Sequence, residues 1–253
     1  MKLSQRSIGF SEEIDIESYE LVPIICYPRF SVDEYSERIS EMRSLGVTSI
    51  SLGGRTIVNG LPVLGKGCVG LVVRARIDNK TYALKIRRID ADRKNMYAEV
   101  QFHKIANAAG VGPQLKGYTK NLITMEFVEG KSIIEWADSA TKSEARNVTT
   151  IVLEQCRRLD RVRVDHGELS RLDRHVLVSN TPFIVDFESA STVRKTCNVT
   201  AVAQSIFLYG PVAARIQKIL GAHEKEKVIS ALKSYKQDQS DTNFGVVLDS
   251  LKV

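Results

Sequence analysis

Three glycines in the run Leu64-Gly65-Lys66-Gly67-Cys68-Val69-Gly70-Leu71-Val72 are followed at once by strand-like sequence, and this order narrows the fold more than any other feature. Gly-x-Gly-x-x-Gly spacing occurs in two kinds of phosphate-binding loop. In a dinucleotide-binding fold the glycine turn opens a helix, and an acidic residue follows about 20 positions on. Here Leu71 to Ile77 alternates as a strand does, Asp78-Asn79-Lys80 supplies turn residues, and Thr81 to Ile86 alternates again. Tyr82, Leu84 and Ile86 share one face of the second strand, leaving Ala83 and Lys85 on the other. A glycine loop between two strands can fold over phosphates, because a side chain there would hold the backbone off or forbid the turn. Lys85 would add a point charge that the loop amides lack. An ordinary glycine-containing hairpin is the plain alternative.

With 253 residues and 43% hydrophobic content, the chain can bury a sizeable core in one or two domains. No run approaches the roughly 18 apolar residues of a membrane span, and Met1-Lys2-Leu3-Ser4-Gln5-Arg6 lacks the apolar stretch of a signal peptide. No membrane partner is expected. Cys26, Cys68, Cys156 and Cys197 are far apart, which disfavours a metal cluster or disulfide framework and suits a reducing, cytoplasmic setting. Cys68 reads as a small residue at a loop tip. The formal charge of +6 is mildly basic. Arg157, Arg158, Arg161 and Arg163 form the densest basic cluster, and Arg87, Arg88, Arg93 and Lys94 the next. Each reads as a solvated face ahead of an RNA or acidic-protein contact, since no aromatic residues interleave as a stacking platform would require.

Residues 1–60 read as a separate N-terminal extension without recognisable chemistry, by default packed onto the body that follows, with a small protein-binding or nucleic-acid-binding add-on as the alternative. Within it, Ser31 and Glu34 have capping-box spacing, and a helix should run to Leu45 with Gly46 ending it. A short strand is expected around Ile57. After Lys85 the pattern predicts a helix over 92–109, stopped by Gly110, Gly112 and Pro113. Glu99 lies on its partly apolar face with Phe102 and Ala106, where a carboxylate needs a partner. Lys85 is the natural one; Glu126, past the next strand, is a poorer candidate. Asn121 to Gly130 reads as a strand ending at a glycine.

From there the pattern turns helical. An amphipathic helix over 143–160 should bury Val148, Ile151, Val152, Cys156 and Leu159. Further helices are expected over 199–209, 211–221, 224–236 and 241–251. Between them His166-Gly167-Glu168-Leu169 precedes the strand Val176-Leu177-Val178. A turn over 179–182 leads through Phe183-Ile184-Val185 to Asp186-Phe187-Glu188. Such a hairpin would set the acidic loop and Asp186 at its open end. Strands first and helices later give an α+β fold.

Taken in order, the glycine loop, Ala83-Leu84-Lys85, Glu99, His166-Gly167-Glu168-Leu169 and Asp186-Phe187-Glu188 resemble protein kinases across residues 61–190. The His-Gly-acid form and the short region after Asp186 are similar to the atypical RIO-type kinases and the small KEOPS-complex kinase, as in archaeal predicted serine/threonine kinases. The resemblance implies a bilobal kinase-like fold with a short N-terminal extension (1–60), an N-lobe (61–130) and a reduced, mainly helical C-lobe (131–253). It implies ATP and Mg²⁺ as cofactors. Gly65, Gly67 and Gly70 would cover the phosphates and Lys85, oriented by Glu99, would grip them. Asp186 would ligate the metal and Glu168 would stand at the base position. Leu64, Val72, Ala83, Met125 and Leu177 would line the adenine slot, with Phe127 or Val128 offering backbone contacts.

The departures from that pattern carry weight too. Glu168 replaces the usual Asp, and a displacement of about 1 Å at a reacting group can cost on the order of 100-fold in rate. The second metal position falls on Asp173 counting from His166, or on His175 counting back from the strand; Asp173 is the better hard-cation ligand. Glu188 stands where the motif ends in Gly. Gly167 stands where regulated kinases carry Arg, which leaves a phosphorylated loop no partner there. Ser189, Ser191, Thr192 and Thr196 read as solvent-facing polarity, and the peptide platform is missing. The resemblance implies a kinase acting on Ser or Thr of a protein or of itself. Alternatives are an ATPase switch on a ribonucleoprotein or tRNA-modifying, RNA-associated assembly, a small-molecule phosphotransferase, and a non-catalytic scaffold.

Overall fold

The computed structural model describes residues 10–253; the expectation about the opening residues falls on 1–9, outside them. The chain forms two compact units. One comprises residues up to Val100 with Gln114–Phe127, the other Gln101–Pro113 with Val128–Val253.

The first unit begins with β1 (Ile14–Asp15), α1 (Val22–Ile25), α2 (Val32–Ser44), β2 (Val47–Ser51) and the hairpin β3 (Thr56–Val58)–β4 (Leu61–Val63). Next come β5 (Gly65–Lys66), β6 (Gly70–Ile77) and β7 (Lys80–Arg87), then α3 (Tyr97–Ala108), which passes into the second unit after Val100, and β8 (Leu115–Tyr118) and β9 (Leu122–Glu126). The main sheet is antiparallel, in the order β1-β2-β6-β7-β9-β8, with β5 paired to β6. Asp78 and Asn79, both at positive φ, make the two-residue turn between β6 and β7. Leu71, Val73, Ala75, Ile77, Leu84, Ile86 and Leu122 put one sheet face into a core with Ile25, Ile39 and Met42.

The boundary expected at residue 60 does not divide the structure, because β1 and β2 are strands of this same sheet. A buried polar network fastens α2 as well. Fully buried Arg38 donates to the Arg87 carbonyl at 3.0 Å, Arg87 Nε to Asn121 Oδ1 at 2.7 Å, and Asn121 to Glu41 at 3.2 Å. Burial pushes the Glu41 carboxyl up and the Arg87 guanidinium down. Ser31 caps α2 through the Glu34 N–H, but the Glu34 carboxylate pairs with Arg38 instead of closing a capping box.

α3 starts later than the sequence pattern suggests. Asn95 Oδ1 accepts the Tyr97 N–H at 3.1 Å, and the Met96 N–H goes to the Lys120 carbonyl at 2.9 Å, so the stretch before Tyr97 bonds outside the helix. Gly110 and Gly112, both at positive φ, follow its end.

The second unit is mainly helical. β10 (Lys131–Ser132) precedes α4 (Ile133–Ala137), α5 (Lys142–Arg161), α6 (Leu172–His175), β11 (Val176–Val178) and β12 (Pro182–Ile184). α7 (Asn198–Ala203), α8 (Gly210–Leu220), α9 (Lys225–Gln237) and α10 (Asp241–Leu251) complete it, with a π-helical turn over Gln204–Leu208 after α7. A Thr141–Glu144 capping box opens α5. Val148, Val152, Leu153, Cys156 and Leu159 face the core from that helix, whereas Ile151, expected there, is half-buried. Strands concentrate in the first unit and helices in the second, which is an α+β fold. No single helix among the described residues is long and apolar enough to cross a membrane.

Candidate functional site

In the first unit, antiparallel register decides which side chains share a face. Val72 is opposite Lys85 and Lys85 opposite Ile123, while Ala83 is opposite Met125. The sheet face away from the larger core therefore carries Val72, Ala83, Lys85 and Met125 together. Leu64 joins them through its N–H to the Val72 carbonyl at 2.9 Å. Lys85 is 3% exposed and Glu99 2%, and Nζ donates to both carboxylate oxygens at 2.8 and 3.0 Å. Glu126 instead accepts the Gln114 N–H at 3.2 Å.

The glycine turn lies over this lysine. A Cβ on Gly70 would sit 3.0 Å from both Lys85 Cγ and Cε and 3.1 Å from the Ile86 carbonyl, so the lysine stem needs a glycine above it. Gly65 has nothing within 4 Å of such a Cβ. None of Gly65, Gly67 and Gly70 has positive φ, so at Gly70 close approach, and no forbidden turn, is the reason for glycine. The turn is tethered from below: Gly67 N–H bonds the Gly70 carbonyl at 2.8 Å and Arg88 Nη1 bonds the Gly67 carbonyl at 3.0 Å.

In the second unit, a buried network presents the acidic loop. Asn198 Oδ1 accepts the His166 N–H at 2.9 Å, and its amide donates to Asp160 Oδ1 and the Val164 carbonyl at 2.8 and 2.7 Å. Asp160, pushed up by burial despite these bonds, also accepts the Tyr235 hydroxyl at 2.9 Å. Burial also pushes the Tyr235 hydroxyl up. Gly167 then turns at φ +87°, where a Cβ would meet Arg194 Nη2 at 2.5 Å and the Ser189 carbonyl at 2.7 Å. Glu168 follows, half-buried. Its Oε1 accepts the Ser189 hydroxyl at 2.9 Å, and its Oε2 lies 2.8 Å from His175 Nε2, off the line of a good hydrogen bond.

His175 is therefore turned to Glu168, whereas Asp173, on the same short helix, keeps a half-buried carboxylate. The His166 and His175 rings are 5.3 Å apart, and His166 Nε2 contacts the Val185 carbonyl at 3.1 Å. Burial first, and the His175 ring second, push His166 down to about 4, so it is neutral at pH 7. Asp186 comes directly after Val185. Its φ of +70° is an uncommon conformation for a residue with a side chain, of the kind that collects at functional sites. Its Oδ1 accepts the Glu188 N–H at 3.3 Å.

Phe187 is buried between the His103 and His166 rings, 5.2 and 5.3 Å away, and leaves no room for a side chain at Gly112. Val128 is half-buried in this unit. Leu177 lies on the strand face opposite buried Val176 and Val178.

Ser189 and Arg194 carried no signal in the sequence. Arg194 Nε pairs with buried Asp165 at 2.8 Å, and its Nη2 holds the Ser189 carbonyl at 2.5 Å. Of the four hydroxyl residues expected to face solvent, Ser189 bonds Glu168 and Ser191 Oγ accepts the Val193 and Arg194 N–H groups. Thr196 bonds Gln239, and Thr192 alone is exposed without such a bond.

No family model matches the chain. A relative, "Uncharacterized protein MJ1211" of Methanocaldococcus jannaschii, is 28% identical over 116 residues, which span 45% of this chain and 99% of the relative.

Proposed function

We propose that the chain is an ATP- and Mg²⁺-dependent phosphotransferase of the atypical protein-kinase type, moving a γ-phosphate to a Ser or Thr hydroxyl. The observation that carries this reading is the buried Lys85–Glu99 pair under a glycine turn, on a sheet face shared with Val72, Ala83 and Met125. A desolvated ammonium held in place by a carboxylate is costly to fold and useful for gripping phosphates. The apolar side chains beside it suit a purine ring.

The second unit supplies the complementary chemistry. Asp186 and Asp173 offer hard oxygen donors of the kind magnesium prefers, and His175, turned to Glu168, does not compete. A bound magnesium ion would neutralise phosphate charge. Glu168 would accept the proton of the attacking hydroxyl, its carboxylate held by Ser189.

Incubation with γ-labelled ATP and magnesium, followed by separation of phosphoprotein from free phosphate, tests this reading. Labelled protein should form with the wild type and be lost in Lys85→Met and Asp186→Asn. Full labelling in both variants would reject the reading.

One observation favours ATP hydrolysis as a second reading. Both Glu168 oxygens have protein contacts, which leaves more room for a water than for a docked polypeptide hydroxyl. Free phosphate without phosphoprotein, dependent on the same two residues, would select it.

A further inference from the structure

The arginine cluster at the end of α5 lines a cavity. A space of about 480 Å³ is bounded by Arg157, Arg161, Arg163, Arg194 and Lys195, and a second of about 240 Å³ shares Arg157 and Arg161 and adds Arg158. Helix C-termini favour a cation or two in the last turn, but that end effect does not call for six around two cavities that share Arg157 and Arg161.

Their acids are largely committed. Asp160 turns inward to Asn198, Val199 and Tyr235. Asp165 holds Arg194. Asp241 is shared by Arg157 and Arg161. Glu154, on the rim of the smaller space, is the remaining carboxylate there. Arg158, Arg163 and Lys195 are exposed and have no acidic partner among the described residues.

We propose that this groove binds the phosphodiester backbone of a nucleic-acid duplex. Arg157 to Arg161 covers about 6 Å of chain at helical rise, and Arg163 lies just past the helix end. One duplex strand presents a phosphate about every 3.4 Å of axis, so the array matches two to three consecutive phosphates. A single phosphorylated side chain would leave most of these cations unneutralised. Bases have no platform here, because the Phe244 ring already packs on Tyr235 and takes the Arg157 guanidinium. Contacts would then be to backbone and largely independent of sequence. Asp241 is a carboxylate that an incoming phosphate would have to displace from Arg161.

Fluorescence anisotropy of the full chain with labelled RNA and DNA duplexes, between 50 and 200 mM salt, tests the proposal. The triple variant Arg158→Gln/Arg163→Gln/Lys195→Gln should shallow the slope of log affinity against log salt by about 2.7, or 0.9 per contact. Over that fourfold salt range the wild type should lose about 40-fold more affinity than the triple variant. Asp241→Asn should bind more tightly than wild type. All altered side chains are on the surface, and an unchanged melting temperature would report an intact fold. RNA bound above DNA would assign the duplex to RNA, and equal binding to either backbone. Wild-type affinity and slope in the triple variant would overturn the proposal. So would tighter binding of a phosphothreonine peptide than of either duplex, or the absence of salt-dependent duplex binding.

Discussion

Lys85 Nζ is bound by both carboxylate oxygens of Glu99, and the two side chains are only 4% and 3% exposed. A pair closed off this far from water is expensive to break from one side. Glu99→Leu should cost about 3–5 kcal/mol by removing the carboxylate that accepts both Nζ hydrogen bonds. The double variant Lys85→Met/Glu99→Leu should recover most of that loss while abolishing phosphate transfer. Urea unfolding of the four corners of this cycle measures the coupling. Additive losses would show that the pair does not act as a unit.

Gly70 and Gly65 separate two reasons for a glycine. At Gly70 a methyl group meets the Lys85 stem at 3.0 Å, so Gly70→Ala should displace the ammonium and weaken nucleotide binding at least tenfold. At Gly65 there is open space and no positive φ. Gly65→Ala should leave stability unchanged or raise it by up to about 1 kcal/mol through the unfolded chain. Calorimetric titration with ATP, paired with thermal melts, distinguishes the two. Equal affinity losses at both positions would remove the special role of Gly70.

The strand-turn-strand around Lys85 was legible because period-two alternation and an Asp-Asn turn are local signals. The Lys85–Glu99 partnership was legible for a similar reason: a carboxylate on a helix face with Phe102 and Ala106 advertises its need for a cation. The late start of α3 was not, since it depends on the Met96 N–H finding the Lys120 carbonyl, a contact between distant stretches of chain. The same holds for the supports of Glu168. Ser189 sits in a run of polar residues that looks solvated, and only the tertiary fold brings its hydroxyl to Oε1. Residues 10–60 looked separable because their sequence carries no chemistry; strand pairing between Ile50 and Ala75 makes them part of the sheet.

Gly167 is the tightest point of the acidic loop. At φ +87°, with Arg194 and the Ser189 carbonyl under 3 Å from any Cβ, Gly167→Ala must both strain the backbone and push Arg194 aside. A loss of about 1–3 kcal/mol follows from the conformation alone. Ser189→Ala, by contrast, removes one hydrogen bond to Glu168 and should cost about 1 kcal/mol or less in stability. Its effect should fall on turnover, with nucleotide affinity unchanged. Measuring kcat and nucleotide Kd for both variants tests whether Ser189 positions Glu168; an unchanged kcat in Ser189→Ala would show that it does not.

His166 should make the second unit acid-sensitive in a defined window. Burial and the neighbouring His175 ring hold its folded pKa near 4, against the combined pull of Val185, Asp186 and Glu168 toward the charged form. The unfolded chain takes up that proton near 6.5, so between those values the unfolded state binds more protons. Stability from this group is therefore fully present above about pH 6.5 and is lost as pH falls toward 4, by about 3 kcal/mol. Asp160, raised by burial, acts with the opposite sign, so the comparison must be between wild type and a His166 variant. His166→Gln should flatten the decline between pH 6.5 and 4 in urea-unfolding series at closely spaced pH. A decline of equal steepness in both proteins would assign the acid sensitivity to other groups.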